Sequence, residues 1–120
     1  MVSDDRLEAL MRELRAQYLG DADARVAELW SDMARVEAGE REALDELRRR
    51  FHKLAGSGGS YGLDDVTTYS REGERAAKRL LDAGAPPDDA AFAELTTHVR
   101  HVADAFAAAK NADPGRLTEG

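Results

Sequence analysis

His52 is the residue of this chain with the clearest capacity for chemistry. Apolar residues three and four positions apart predict one buried helical face around it: Leu44, Leu47, Phe51 and Leu54. His52 follows Phe51 by one residue, about 100° of helical rotation, so its imidazole is expected to face solvent. A neutral imidazole carries a nitrogen lone pair, and it can attack a phosphoryl group and hold it covalently as a phosphoramidate.

The residues that follow His52 are unusually small. Ala55 and Gly56 lie one helical turn on, and Gly59 lies two turns on. The surface beside the imidazole is therefore expected to be clear, so that a large partner can approach. If the segment is helical, its three glycines, which include Gly58, cost about 3 kcal/mol relative to alanine. A helix that ends at Ala55 and leads into a glycine loop is equally compatible with local propensity.

The stretch from 52 to 62 resembles the motif of the histidine-containing phosphotransfer (HPt) domains of multistep two-component signalling. The matching residues are His52, Leu54, Gly56, Ser57, Gly58, Tyr61 and Gly62. The chain departs from the motif at Ala55, where the family most often has lysine. The helical pattern on both sides extends the resemblance to most of the chain.

The resemblance implies a phosphorelay intermediate, in which His52 accepts a phosphoryl group from a receiver-domain aspartyl phosphate and passes it to another receiver. It implies a phosphohistidine carrier with no kinase or ATPase activity of its own. No cofactor is expected on this chain, and Mg²⁺ is expected on the partner receiver. The implied partners are receiver domains of response regulators, with a hybrid histidine kinase as a further candidate, and the chain is expected to be a monomer.

Basic residues surround the histidine on an otherwise acidic protein: Arg48, Arg49 and Lys53. In the family, the lysine three residues after the histidine is thought to help neutralise the phosphoryl group, which Ala55 cannot do. Our hypothesis is that Arg48, Arg49 or Lys78 substitutes in part. An ordinary solvated face remains the alternative for these arginines. With Gly56 and Gly59, these residues make up the predicted docking surface and phosphate surroundings.

The composition limits the other classes of function. With 24 acidic and 17 basic residues the formal charge is −7, which disfavours nucleic acid and anionic membranes as partners. There is no cysteine, hence no disulfide and no thiolate metal site. The acidic start has no secretory signal, and no apolar run approaches the ~20 residues that span a bilayer. A cytoplasmic protein is expected, and the Met1 start favours a free-standing one.

Five amphipathic segments separated by glycine or proline predict five helices in one domain of 120 residues. The short gaps predict an all-α, antiparallel up-down-up-down four-helix bundle with an additional short N-terminal helix at one end. Residues 1–111 are assigned to this domain, and residues 112–120, with Pro114 and Gly115, to a flexible tail. Trp30 and Met33 are predicted to be core residues, and Asp64 or Asp65 to cap the fourth helix.

Two further constellations could do chemistry. His98, His101 and Asp104 have the spacing of metal ligands on one helical face, but solvated histidines are the better interpretation. Ser57 and Ser60 are expected to bond preceding helix carbonyls rather than to act in a hydrolase. A degenerate HPt-like adaptor that binds a receiver or kinase without phosphorylation remains an alternative function, and so does a helical bundle with an unrelated interaction role.

Overall fold

Five α-helices make up most of residues 2–112, the part of the chain that the computed structural model describes. They are α1 (Val2–Gly20), α2 (Ala22–Glu37), α3 (Arg41–Ser60), α4 (Asp64–Ala83) and α5 (Asp89–Ala112). The predicted all-α fold is confirmed. Ala112 still belongs to α5 although it was assigned to the tail, and residues 113–120 lie outside the described part of the chain. No helix among residues 2–112 combines the length and the apolarity that crossing a membrane requires.

Short connections define the topology. Gly39, Gly62 and Gly84 each take a positive φ in the turns after α2, α3 and α4, a conformation that side chains disfavour. Consecutive helices joined by such short turns run antiparallel. Helices α2 to α5 form the four-helix bundle: α3 packs most extensively against α4, and α2 closes the ring against α5.

The core of the bundle is built around Phe51 of α3 and Phe106 of α5, both fully buried. The ring of Phe51 lies against Gly73 of α4, where an added Cβ would come within 2.6 Å of the ring carbons. Real Cβ atoms do not approach other heavy atoms so closely, so only glycine allows this contact. Helices α3 and α4 can therefore approach each other closely beside His52.

The N-terminal helix is not short. α1 has 19 residues and is longer than α2, which has 16. Its C-terminal end is anchored by Tyr18, whose ring stacks on Tyr61 with centroids 4.6 Å apart. Residues 4–13, here called the α1 arm, are all exposed. No glycine or proline interrupts the sequence between Val2 and Gly20, so the helix continues past the point where its contact with the bundle ends.

Two local predictions are wrong. Trp30 is exposed, because it lies about 100° around α2 from Leu29, which occupies the buried face together with Met33. Met33 is buried as predicted. The N-cap of α4 is Leu63, and Asp64 and Asp65 instead occupy the first turn, where their charge complements the helix dipole.

Candidate functional site

His52 lies where the periodicity placed it. Helix α3 is continuous to Ser60, so the helical interpretation of the glycine-rich stretch is correct and the loop interpretation is wrong. Phe51 and Leu54 on either side are buried, whereas the side chain of His52 is 73% exposed. A rigid helix thus holds the imidazole at the surface.

Glu74 of α4 fixes the orientation of this imidazole. Its Oε2 lies 2.8 Å from Nδ1 of His52. A carboxylate only accepts hydrogen bonds, so Nδ1–H is the donor and the proton of the neutral ring resides on Nδ1. The lone pair of the neutral ring therefore resides on Nε2, the nitrogen that does not face Glu74.

The glycines after His52 divide into two groups. Gly56 and Gly59 are exposed: a Cβ on Gly56 would meet nothing within 4 Å, and one on Gly59 would lie 3.6 Å from Thr67 Oγ1. Gly58 is buried, and a Cβ there would come within 2.8 Å of the same oxygen. Gly58 therefore serves helix packing, while Gly56 and Gly59 leave the surface beside the imidazole bare.

Ala55 is not part of the open surface. It is buried between α3 and α4, and its carbonyl oxygen accepts a hydrogen bond from Thr67 Oγ1 at 2.8 Å. This hydrogen bond to the backbone of Ala55 thus contributes to the contact between the two helices. This position provides no charge to the site.

The antiparallel register of α3 and α4 determines which residues face each other beside His52. Leu63 lies in the turn between the two helices, and residues at equal distances before and after it face each other. His52 lies eleven residues before Leu63, and it faces Glu74, which lies eleven residues after Leu63. By the same count, Arg71 is level with Ala55, three residues after the histidine. Arg71 is exposed and lies one turn from Glu74 on the same side of α4.

On the other side of His52, the same register sets Lys78 level with Arg48, four residues before the histidine. Lys78 Nζ donates to Asp82 Oδ2 at 2.8 Å. Asp45 binds both predicted arginines: Arg48 Nη2 lies 2.9 Å from Oδ1, and Arg49 Nη2 lies 2.7 Å from Oδ2. These three cations are therefore partly neutralised by acidic neighbours.

Lys53 and Arg71 differ from Arg48, Arg49 and Lys78. Both are exposed, and neither forms an ion pair within the described residues 4–112. Lys53 lines a shallow surface depression whose walls also include Arg48, Arg49 and His52. The structure thus brings Arg48, Arg49 and Lys53 to the surface around His52. The register of α4 sets Arg71 one helical turn from Glu74.

The two histidines of α5, His98 and His101, are less exposed than expected. Both are half-buried rather than solvated: the ring of His101 packs on Tyr69 at 4.9 Å between centroids, and His98 Nε2 lies 3.5 Å from Glu94. Among the described residues, no cluster of three or more His, Asp or Glu side chains is placed to hold a metal ion.

The two serines of the motif bond helix carbonyls as expected. Ser60 Oγ donates to the carbonyl of Gly56 at 3.3 Å, and Ser57 Oγ lies 3.5 Å from that of Leu54. Ser57 also shares a 2.5 Å hydrogen bond with the hydroxyl of Tyr18. This bond ties the end of α1 to the helix that carries the histidine.

Sequence reasoning missed Glu74 and Arg71, because neither belongs to the motif that singled out His52. One signal could have found them. Once α3 and α4 are taken as an antiparallel pair joined by a turn at residues 61–63, the residues at equal distances from the turn face each other. This rule pairs His52 with Glu74 and Ala55 with Arg71.

Comparison with known proteins agrees with the geometry. The model of the Hpt domain family matches residues 5–112, almost the whole chain. No curated protein and no solved structure showed significant similarity to the chain.

Proposed function

This chain belongs to the Hpt domain family, which supports a phosphotransfer-related role in two-component signalling, and we propose that His52 is its phosphoacceptor. In this proposal the chain is a phosphorelay intermediate that takes a phosphoryl group from one receiver domain and passes it to another. The observation that carries the proposal is the hydrogen bond from Nδ1 of an exposed His52 to Glu74. It leaves Nε2 free on a surface that Gly56 and Gly59 keep clear.

The transfer step uses groups that the chain supplies. The Nε2 lone pair attacks the phosphorus of an aspartyl phosphate, a P–N bond forms, and the P–O bond to the aspartyl carboxylate breaks. The carboxylate leaves with the electron pair of that bond. The ring, now substituted on Nε2 and still protonated on Nδ1, gains positive charge, which the adjacent carboxylate of Glu74 stabilises. The return step to a second receiver reverses these events.

Cations around His52 assist with the charge of the phosphoryl group. Lys53 and Arg71 are free to turn towards it, whereas Arg48, Arg49 and Lys78 each share an acidic neighbour. We therefore assign the missing lysine's role first to Arg71, and retain Arg48, Arg49 and Lys78 as secondary contributors. A Mg²⁺ ion bound by the partner receiver would supply further electrostatic assistance on that side.

Docking of the receiver depends on the bare surface at Gly59. A leucine there would project beside the imidazole, while its Cβ keeps only an ordinary contact with Thr67. We expect Gly59→Leu to remain folded by circular dichroism and to lose phosphotransfer. Ala107→Leu, on the exposed side of α5, is the matched control and should transfer normally. Normal transfer by a folded Gly59→Leu variant would contradict the docking model.

The experiment that tests the function is phosphotransfer from a phosphorylated receiver to the wild type, to His52→Gln and to His98→Gln as control. We expect acid-labile, base-stable label on the wild type and on the His98 variant, and none on His52→Gln. If cognate receivers bind but transfer no label, the chain is a non-phosphorylated adaptor. If neither binding nor transfer occurs, the proposal fails altogether.

A further inference from the structure

The α1 arm, residues 4–13, presents an apolar face to solvent. Leu7, Leu10 and Met11 are 58%, 50% and 41% exposed. They follow the three- and four-residue spacing of one helical stripe, which continues through the half-buried Leu14 to the buried Tyr18. The bundle therefore covers the C-terminal end of this stripe and leaves its first two turns uncovered.

Two opposite charges border the stripe along the same edge. Arg6 and Glu13 are seven residues apart, which places them within about 20° of each other around the helix axis. Both lie next to Leu10 on the helical wheel. Neither forms an ion pair within the described residues 4–112. Because the cation and the anion lie on the same edge of the helix, Arg6 of one copy can pair with Glu13 of a second copy, and the reverse.

We propose that the α1 arm is the interface of an antiparallel homodimer, in place of the expected monomer. When Leu7 lies level with Leu10 of a second copy, the two-fold axis crosses the arm midway between them, which is also the midpoint of residues 4–13. Arg6 is then about 3 Å along the axis from the second copy's Glu13, and the same pair recurs on the other side of the axis. In a parallel two-fold pairing the charged edges of the two arms would instead lie on opposite sides of the interface, so Arg6 and Glu13 of the two copies would not meet.

Other occupants fit this face less well. Residues 113–120 contain one large apolar residue, Leu117, against three on the exposed stripe. A different protein would have to supply both charges at the same spacing, whereas a second copy supplies them by symmetry. Two arms of ten residues make a small interface, so the dimer is expected to be of modest affinity and concentration-dependent.

Sedimentation velocity of the full chain, from about 10 µM to about 1 mM, measures this association. We expect the wild type to dimerise across the range and Leu7→Glu/Leu10→Glu to stay monomeric. Arg6→Glu and Glu13→Arg should each weaken association by about tenfold, because each places like charges opposite each other in both symmetric pairs. The combination Arg6→Glu/Glu13→Arg should recover the wild-type dissociation constant.

Arg12→Glu is the matched control, because it changes the same charge by the same amount on the opposite side of the arm. It should dimerise like the wild type. A wild type that is monomeric throughout, or a double charge reversal that does not recover association, would overturn the proposal. Whether or not the arms associate, we expect label transfer to His52 to be unaffected in all of these variants, because the arm contributes no residue to that site. This test is therefore independent of the proposed function.

Discussion

Helix α3 contacts its two neighbours in the bundle by opposite means. Against α4 it uses small residues, with Gly58 and Gly73 at the points of closest approach; we call this contact the glycine seam. Against α2 it uses ion pairs, which we call the ionic seam: Arg50 binds Asp32 and Glu28 of α2, and Glu46 binds Arg35 of α2.

The difference between the seams accounts for the position of the site. Gly58 and Gly73 allow α3 and α4 to pack closely, and His52 and Glu74 meet across this contact with a 2.8 Å bond. The long side chains of the ionic seam instead pair their charges with one another. The glycine seam therefore carries the proposed chemistry, and the ionic seam carries arginines that are already neutralised.

The largest effect should come from adding a methyl group to the glycine seam. We expect Gly73→Ala to lower the free energy of unfolding by about 2 kcal/mol, because the new Cβ overlaps the ring of Phe51. Gly56→Ala is the control: it is equally helical but meets nothing, so it should raise stability by up to about 1 kcal/mol. Urea denaturation measures both, and equal effects would mean that the seam is not tightly packed.

The second effect concerns the pair that the seam brings together. Glu74→Ala should slow label transfer to His52 by about tenfold, or ~1.4 kcal/mol, because the ring loses the partner that fixes its proton and stabilises its charge. Glu72→Ala, exposed on the same helix, should transfer normally.

The role we predict for Glu74 is that of a positioning residue, and a spectroscopic readout separates this role from a structural one. The ¹⁵N NMR shifts of His52 should report a proton on Nδ1 in the wild type and a mixture of tautomers in Glu74→Ala. An unchanged tautomer in a slow variant would assign the loss of transfer to some other cause.

A smaller effect is expected from the cation across the seam. Arg71→Ala should slow transfer by about threefold, since an exposed charge contributes modestly. Arg100→Ala, on α5, is the control. Adding Ala55→Lys to Arg71→Ala should restore the rate, because a lysine can bury its aliphatic stem in the seam and extend its ammonium group to the surface. If the added lysine does not restore transfer, a cation at the position of Ala55 and Arg71 in the glycine seam is not required.

The two seams also differ in how far they could be predicted. Helix α3 and the exposure of His52 followed from the spacing of Phe51 and Leu54, because local periodicity determines which face of a helix is buried. Glu74 lies 22 residues away, and no local pattern connects it to the histidine. It becomes predictable only when the pairing of α3 with α4 is assumed.

Other misses arose where tertiary packing decides between similar local patterns. Trp30 has the spacing of a core residue, but α2 buries the neighbouring face with Leu29. The stripe of α1 has the same spacing as those of the bundle helices, yet only its C-terminal end meets the bundle. Periodicity shows that a face is apolar, but it does not show whether the fold provides anything to cover it.

The smallest effect should come from the pH dependence of the ionic seam. Asp32 is only 2% exposed, and this burial raises the pKa of its carboxyl group above the usual 3.8, although the hydrogen bond from Arg50 opposes the shift. A raised folded-state pKa means that protonation of Asp32 favours the folded state. This contribution is fully present below pH 3.8 and is lost as the pH rises through the raised pKa.

Asparagine at this position cannot ionise, so Asp32→Asn isolates the contribution. The free energy of unfolding of the wild type, relative to that of Asp32→Asn, should be highest at acidic pH. This difference should shrink as the pH rises above 3.8, and urea denaturation over a pH series measures it. An advantage that grows with pH would mean that the attraction to Arg50 outweighs desolvation. The ion pairs of the ionic seam would then stabilise the bundle. In the opposite case, burial of the Asp32 carboxylate carries a desolvation cost that the uncharged glycine seam does not have.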